Sequence, residues 1–150
     1  MASTLTCLQI HFVFSTKSRR NLITPVIEQP RHNYLAGIMS HRGSRLLAIG
    51  GMPDHVHLLV SMSKKESAVK LMEVVKKDSS KWIKTQGPSF ADFYWQEGYG
   101  AFSIGQSGVA ALKAYIANQG EHHRRMSFQE EFLNLLKKYQ VVYDERYIWS

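Results

Sequence analysis

Apolar residues recur along this chain with two periods, about two in some stretches and near 3.6 in others, and the alternation lays out its elements. Residues 5–14 carry Leu5, Cys7, Leu8, Ile10, Phe12, Val13 and Phe14 and predict a strand, closed by the polar run 15–20. Residues 25–41 take helical spacing, with Ile27, Tyr34, Leu35, Ile38 and Met39 on one face. Thr24 stands at the N-cap, Pro25 at the first helical position and Gly43 as a stop, while Pro30 weakens the first turns. Residues 46–49 and 55–60 predict two more strands, and their short connection suits an antiparallel hairpin. Residues 67–85 read as a helix with Ala68, Leu71, Met72, Val75 and Trp82 inward and Lys70, Lys76, Lys77, Lys81 and Lys84 outward, ended by Gly87 and Pro88. An aromatic strand or hairpin follows over 93–104, then a helix over 106–118 with Ser107 as N-cap and Gly120 as stop. The last helix, over 127–139, opens with the capping-box pair Ser127 and Glu130 and carries the stripe Phe128, Phe132, Leu135 and Leu136.

Strand, helix, strand, strand, helix, strand is the order of a ferredoxin-like βαββαβ sandwich, an α+β fold with an antiparallel sheet, here followed by additional helices. A chain of 150 residues fits one domain: a core over about 4–105, a helix over about 106–120, and a C-terminal helix and tail over about 127–150. Cys7 is unpaired and sits in an apolar run, which suits a reducing compartment and a core position. The N-terminus lacks the pattern of a cleaved signal peptide, and no run reaches membrane-spanning length, so the expected location is the cytoplasm. A net charge of +7 favours a polyanionic partner without distinguishing DNA, RNA or an anionic membrane.

Candidate chemistry centres on His55, Val56 and His57. An extended strand sends both imidazoles to one face and Val56 to the core, and paired imidazoles can hold a divalent metal. The triplet alone is equally compatible with two half-exposed polar strand residues. Downstream, Tyr115 and Gln119 lie four apart and share a helical face, so a phenol and an amide oxygen would project together. Either could also be an ordinary helix residue.

Taken together, three segments resemble the single-tyrosine HUH transposases of the insertion-sequence 200/605 type, where U is a hydrophobic residue. They are Met52 to Leu59, the aromatic stretch Trp95 to Ser103, and Tyr115 to His123, and with the segment His11 to Lys17 they span most of the chain in the family's order. The resemblance implies that His55, His57 and Gln119 ligate Mg²⁺ or Mn²⁺ and that Tyr115 is the nucleophile. It also implies cleavage and rejoining of single-stranded DNA at hairpin-bearing ends through a 5′-phosphotyrosine, a homodimer, no nucleotide cofactor, and work on the nucleoid. Two rival uses stay open: a host-retained relative acting on repeated palindromes, and a non-catalytic regulator that binds DNA hairpins.

Other residues carry smaller expectations. Asp54 suits a turn or a hydrogen bond to a metal ligand, and His122 and His123, just past the helix stop, suit surface, capping or outer-sphere roles. His11 reads as a core histidine, His32 and His41 as helix-surface residues, and Tyr99, Trp95 and Phe102 as packing aromatics. Lys17, Arg19, Arg20, Lys76, Lys77 and Lys81 are candidate contacts to DNA phosphates, although a solvated face is the ordinary use of such charges. No base to deprotonate Tyr115 is evident in the sequence.

Overall fold

The computed structural model describes residues 3–149. Four strands, β1 (Gln9–Ser15), β2 (Arg45–Met52), β3 (His55–Ser61) and β4 (Gly100–Ile104), form one antiparallel sheet in the order β2-β3-β1-β4, the ferredoxin-like order. Helices α1 (Pro25–His41) and α2 (Ala68–Lys84) cover one face. There Phe12, Phe14, Val56, Leu58 and Val60 meet Leu35, Met39, Leu71, Met72 and Val75. The opposite face, formed by the alternate residues Val13, Leu59 and Phe102, is covered by α3 (Val109–Ala117) and α5 (Phe128–Lys138). Short helices α4 (Gln119–His122) and α6 (Glu145–Ile148) complete the chain. Strand pleating therefore sorts β3 cleanly: Val56 enters the main core while His55 and His57 face α3 and α5.

Several boundaries differ from those read in the sequence. Strand β1 begins at Gln9, not Leu5, because Gln9 is the last residue with partners on both sides, Ser61 and Ile104. Leu5 and Cys7 lie outside the sheet and are exposed, so Cys7 is not a core residue. Strand β2 runs through Gly50 and Gly51, which pair with His57 and Val56, and only Pro53 and Asp54 turn the hairpin. Between residues 93 and 104 only β4 is a strand; Trp95 makes one isolated bridge to Thr16. The third helix starts at Val109 after a 3-10 turn, Gln106–Gly108, that contains Ser107, so Ser107 does not cap it. Gly120 lies inside α4 rather than ending a helix.

The two long helices form for the expected reasons. Pro25 opens α1, where its missing N–H costs nothing, and Ser67 caps α2 by accepting from the Lys70 N–H. Ser127 does the same for α5, accepting from the Glu130 N–H. One residue of α1 stands against the pattern. Arg31 is 1% exposed, and among the described residues its Nε and Nη1 have no hydrogen-bond partner. No helix of the described residues is long and apolar enough to cross a membrane.

Candidate active site

His55 and His57 are buried on β3, a central strand, with Ser15 and Val13 of β1 on one side and Met52 and Gly50 of β2 on the other. Tyr115 sits near the end of α3 and Gln119 opens α4, with the helix interrupted at Asn118 between them. Despite the interruption, Gln119 turns inward, and its Oε1 lies 3.1 Å from His55 Nε2. The Tyr115 ring stands edge-on to the His57 ring at 5.9 Å. All four residues proposed from the sequence as nucleophile and ligands therefore meet within a single chain.

Two further side chains complete the cluster. Glu131 of α5 is 1% exposed, and its Oε1 lies 2.9 Å from His57 Nε2, 3.1 Å from His123 Nε2 and 3.4 Å from His55 Nε2. Its Oε2 accepts from the Tyr115 hydroxyl and, at 3.2 Å, from Gln119 Nε2. His123 Nε2 is also 3.0 Å from Gln119 Oε1. Glu131 does not stand out in the sequence, because its helix has an ordinary amphipathic pattern. The available signal was an acidic residue inside the apolar stripe, three after Phe128 and four before Leu135.

Three contacts hold the imidazoles from behind. His55 Nδ1 is 2.8 Å from Asp54 Oδ1, His123 Nδ1 is 2.9 Å from the Met126 carbonyl oxygen, and His57 Nδ1 is 2.8 Å from His11 Nε2. His11, expected in the core, is buried as expected but belongs to this network, its ring stacked on that of His57 at 5.1 Å. Because an acidic oxygen and a carbonyl only accept, His55 and His123 must each donate from Nδ1. A neutral ring so fixed turns its Nε2 lone pair toward Gln119 Oε1 and Glu131 Oε1.

The electrostatics follow from burial and this crowding. For His55, burial opposes the charge, but Asp54 and Glu131 outweigh it and raise the pKa to about 9. Burial lowers that of His57 and takes His11 down to about 3, the latter with help from His57. Glu131 is held well below the ordinary carboxylate range: burial alone would raise it, and the hydrogen bonds from His55, His57 and Tyr115 reverse that. Tyr115 is raised, by burial first and then by Glu131.

Comparison with known proteins decides what this cluster belongs to. The profile of the family described as "Transposase IS200 like" matches residues 4–119. The chain belongs to the IS200-like transposase family. Among family relatives, ISDra2 transposase TnpA of Deinococcus radiodurans is 21% identical over 117 residues, spanning 75% of this chain and 84% of that protein. A crystal structure of a Deinococcus radiodurans protein described as a transposase superposes with a TM-score of 0.62 at 22% identity, covering 79% of this chain and 95% of that one. A REP-associated tyrosine transposase bound to a REP hairpin gives a TM-score of 0.62 at 14% identity, covering 82% and 72%. The family match ends at Gln119, so this IS200-like transposase adds His123 and Glu131 from beyond it.

The donor set suits a divalent cation. His55, His57, His123 and Glu131 offer ligand atoms all within 4.8 Å of one another. The separations of 2.9 to 3.4 Å around Glu131 Oε1 match neighbouring ligands on one ion, since bonds of about 2.1 Å place adjacent octahedral ligands about 3.0 Å apart. Lone pairs facing oxygens, as at His55 and His123, leave a position that a second proton or a cation must fill.

The remaining candidates fall in different places. His122 lies beside Tyr115, with ring centroids 4.3 Å apart. Lys17 and Arg20 are exposed near the start of α1, and Arg19 Nη1 donates to the Trp149 carbonyl at 3.4 Å. Lys76, Lys77 and Lys81 are on α2, across the sheet from Tyr115. Lys76 is engaged, donating to the Gln96 and Gly98 carbonyls at 2.6 and 2.8 Å, and burial takes its pKa down to about 8.

Proposed function

We propose that this chain cleaves and rejoins single-stranded DNA at hairpin-bearing ends through a 5′-phosphotyrosine on Tyr115. His55, His57 and Gln119, joined by His123 and Glu131, would hold Mg²⁺ or Mn²⁺. The observation that carries this reading is one carboxylate, Glu131, hydrogen-bonded to the tyrosine hydroxyl through one oxygen and facing three imidazoles through the other. A hairpin-binding regulator has no use for that arrangement.

In the reaction, the Tyr115 oxygen attacks phosphorus; the Oη–P bond forms as the P–O3′ bond breaks, and the leaving oxygen takes up a proton as a 3′-hydroxyl. Glu131 Oε2, already hydrogen-bonded to the hydroxyl, aims the Tyr115 oxygen at phosphorus, and the phenol proton leaves to solvent as the Oη–P bond forms. Attack by another 3′-hydroxyl reverses the step and joins strands with no nucleotide cofactor, because the phosphodiester energy is kept in the tyrosyl ester. A divalent cation supplies Lewis-acid polarisation of the phosphate and offsets the carboxylate charge that otherwise raises the Tyr115 pKa.

Hairpin ends are supported by the REP-associated relative, which is itself bound to a hairpin. A homodimer in this reading brings two such sites together, one for each end. Exposed Lys17 and Arg20 contribute phosphate contacts, and Lys77 and Lys81, on the other side of the sheet from Tyr115, do so only for DNA that wraps round to α2. The substrate is nucleoid DNA in the cytoplasm, either the ends of a mobile element or repeated palindromes kept by the host. The test is incubation with labelled single-stranded hairpin DNA and Mn²⁺, followed by denaturing electrophoresis. The wild type should form a covalent complex and Tyr115→Phe none, with hairpin binding kept; an undiminished complex in the variant refutes the assignment.

A further inference from the structure

Between α3 and α5 lies a cavity of about 700 Å³ that Tyr115 and Glu131 both line, so it is continuous with the catalytic cluster. That volume falls in the range of small-molecule sites, about 300–1,000 Å³. Its α3 side stays open because the lining there is small: Gly105, Gly108 and Ala111. Its α5 side is functional in character. Asn134 and Lys138 also line it and follow Glu131 by three and seven residues, so carboxylate, amide and ammonium form one stripe along the helix. The stripe is about 10 Å long at 1.5 Å per residue. Tyr139 adds an aromatic surface, its ring stacked against Phe102 at 4.8 Å. Both Asn134 and Lys138 are exposed, and neither belongs to the segment shared with the family.

We propose that this cavity receives the unpaired nucleotide next to the scissile phosphate, Asn134 reading the base edge and Lys138 meeting the following phosphate. The proposal rests on the tyrosine-nucleophile reading, since that places the reacting phosphate at Tyr115. An amide presents one donor group and one acceptor, the pair needed to discriminate base edges, whereas ammonium recognises phosphate without regard to sequence. Asn134 on α5 thus contributes to the choice of cleavage position.

The full-length protein in Mg²⁺ buffer would be titrated with the four deoxynucleoside 5′-monophosphates and the matching nucleosides, followed by ligand-observed NMR. The wild type should bind one nucleotide several-fold more tightly than the others, and Asn134→Ala should level the four. Lys138→Ala should bring nucleotide affinity down to that of the nucleoside, about a five- to tenfold loss. Ala111→Trp, which fills the cavity, should weaken binding more than about tenfold, while Ala110→Trp, on the exposed side of the same helix and outside the cavity, should leave it unchanged. Absence of binding to the wild type, equal affinity for all four bases, or wild-type affinity in Ala111→Trp overturns the proposal. Asn134→Ala decides the matter even where the tryptophan variant is poorly folded, because Asn134 is exposed. A covalent complex persisting in Tyr115→Phe refutes the nucleophile assignment without touching the cavity, and failed nucleotide binding by the wild type refutes the cavity alone.

Discussion

Replacing Gly50 by alanine should displace Tyr115 from the far side of its own helix. Gly50 pairs with His57 in the β2–β3 ladder, and α3 rests directly on it. A Cβ at this position would stand 2.3 Å from the Ile116 carbonyl oxygen and 3.0 Å from Ile116 Cγ2. Ordinary contact requires about 3.4 Å or more, and a backbone oxygen cannot swing aside, so α3 must retreat by about 1 Å. Ile116 is the residue after Tyr115, and the retreat carries the phenol with it. Overpacking of this kind costs about 1–3 kcal/mol of stability. A displacement of about 1 Å at a reacting group lowers the rate by about 10²-fold. Urea unfolding measures the first and the rate of covalent complex formation on hairpin DNA the second. Gly37→Ala is the control: an added Cβ there meets nothing within 4 Å, and the helix should gain about 0.5–1 kcal/mol at full activity. A Gly50→Ala protein that is as stable and as fast as the wild type refutes the account of how α3 is seated.

Other outcomes follow from the same geometry. His57→Ala should abolish the rise in melting temperature produced by Mn²⁺, as well as metal-dependent cleavage; a retained rise means that His57 is not a ligand. In chelator, stability should fall as pH rises from about 6.5 to about 9. His55, with its pKa raised to about 9, favours the folded state fully below its unfolded value and loses that contribution through this window. Burial lowers the pKa of His11 to about 3, so its protonation in the unfolded chain should reduce stability below pH 6.5; urea midpoints that do not vary between pH 5 and 9 contradict both. Arg31→Met should raise the unfolding midpoint by about 1–3 kcal/mol, since it removes a buried guanidinium whose pKa burial already takes down to about 10. A loss of stability in that variant means that the 3.1 Å contact of Arg31 Nη2 with His32 Nε2 and the charge of Glu28 outweigh the cost of burial.

Strand β3 and the long helices were legible in the sequence because their patterns are local. Alternation at residues 55–60 sorts imidazoles from aliphatic residues, and the stripes of α1 and α2 mark their buried sides. The start of β1 was not legible, because Leu5 and Cys7 look like strand residues and only the absence of a neighbouring strand leaves them exposed. The extent of β2 was hidden for the opposite reason: Gly50 and Gly51 read as a turn, yet the close approach of α3 and of the His55 backbone requires glycine within a strand. His55, His57, Tyr115 and Gln119 could be paired from spacing and resemblance. Glu131 and His11 could not, being separated from His57 by 74 and 46 residues and brought in only by tertiary packing. Asp54 behind His55 fits its expected supporting place, and His123 sits closer to the centre than a surface role would put it.

Glu131 also sets an order of assembly during synthesis. The imidazoles of β3 leave the ribosome early, Tyr115 and Gln119 much later, and Glu131 later still. A nascent chain that has released β1 to α4 can close its sheet, yet it carries histidines and a tyrosine with no carboxylate between them. If Glu131 acts as proposed, competence to cut DNA is withheld until α5 emerges and docks, and a polypeptide abandoned by a stalled ribosome before that point carries an incomplete site.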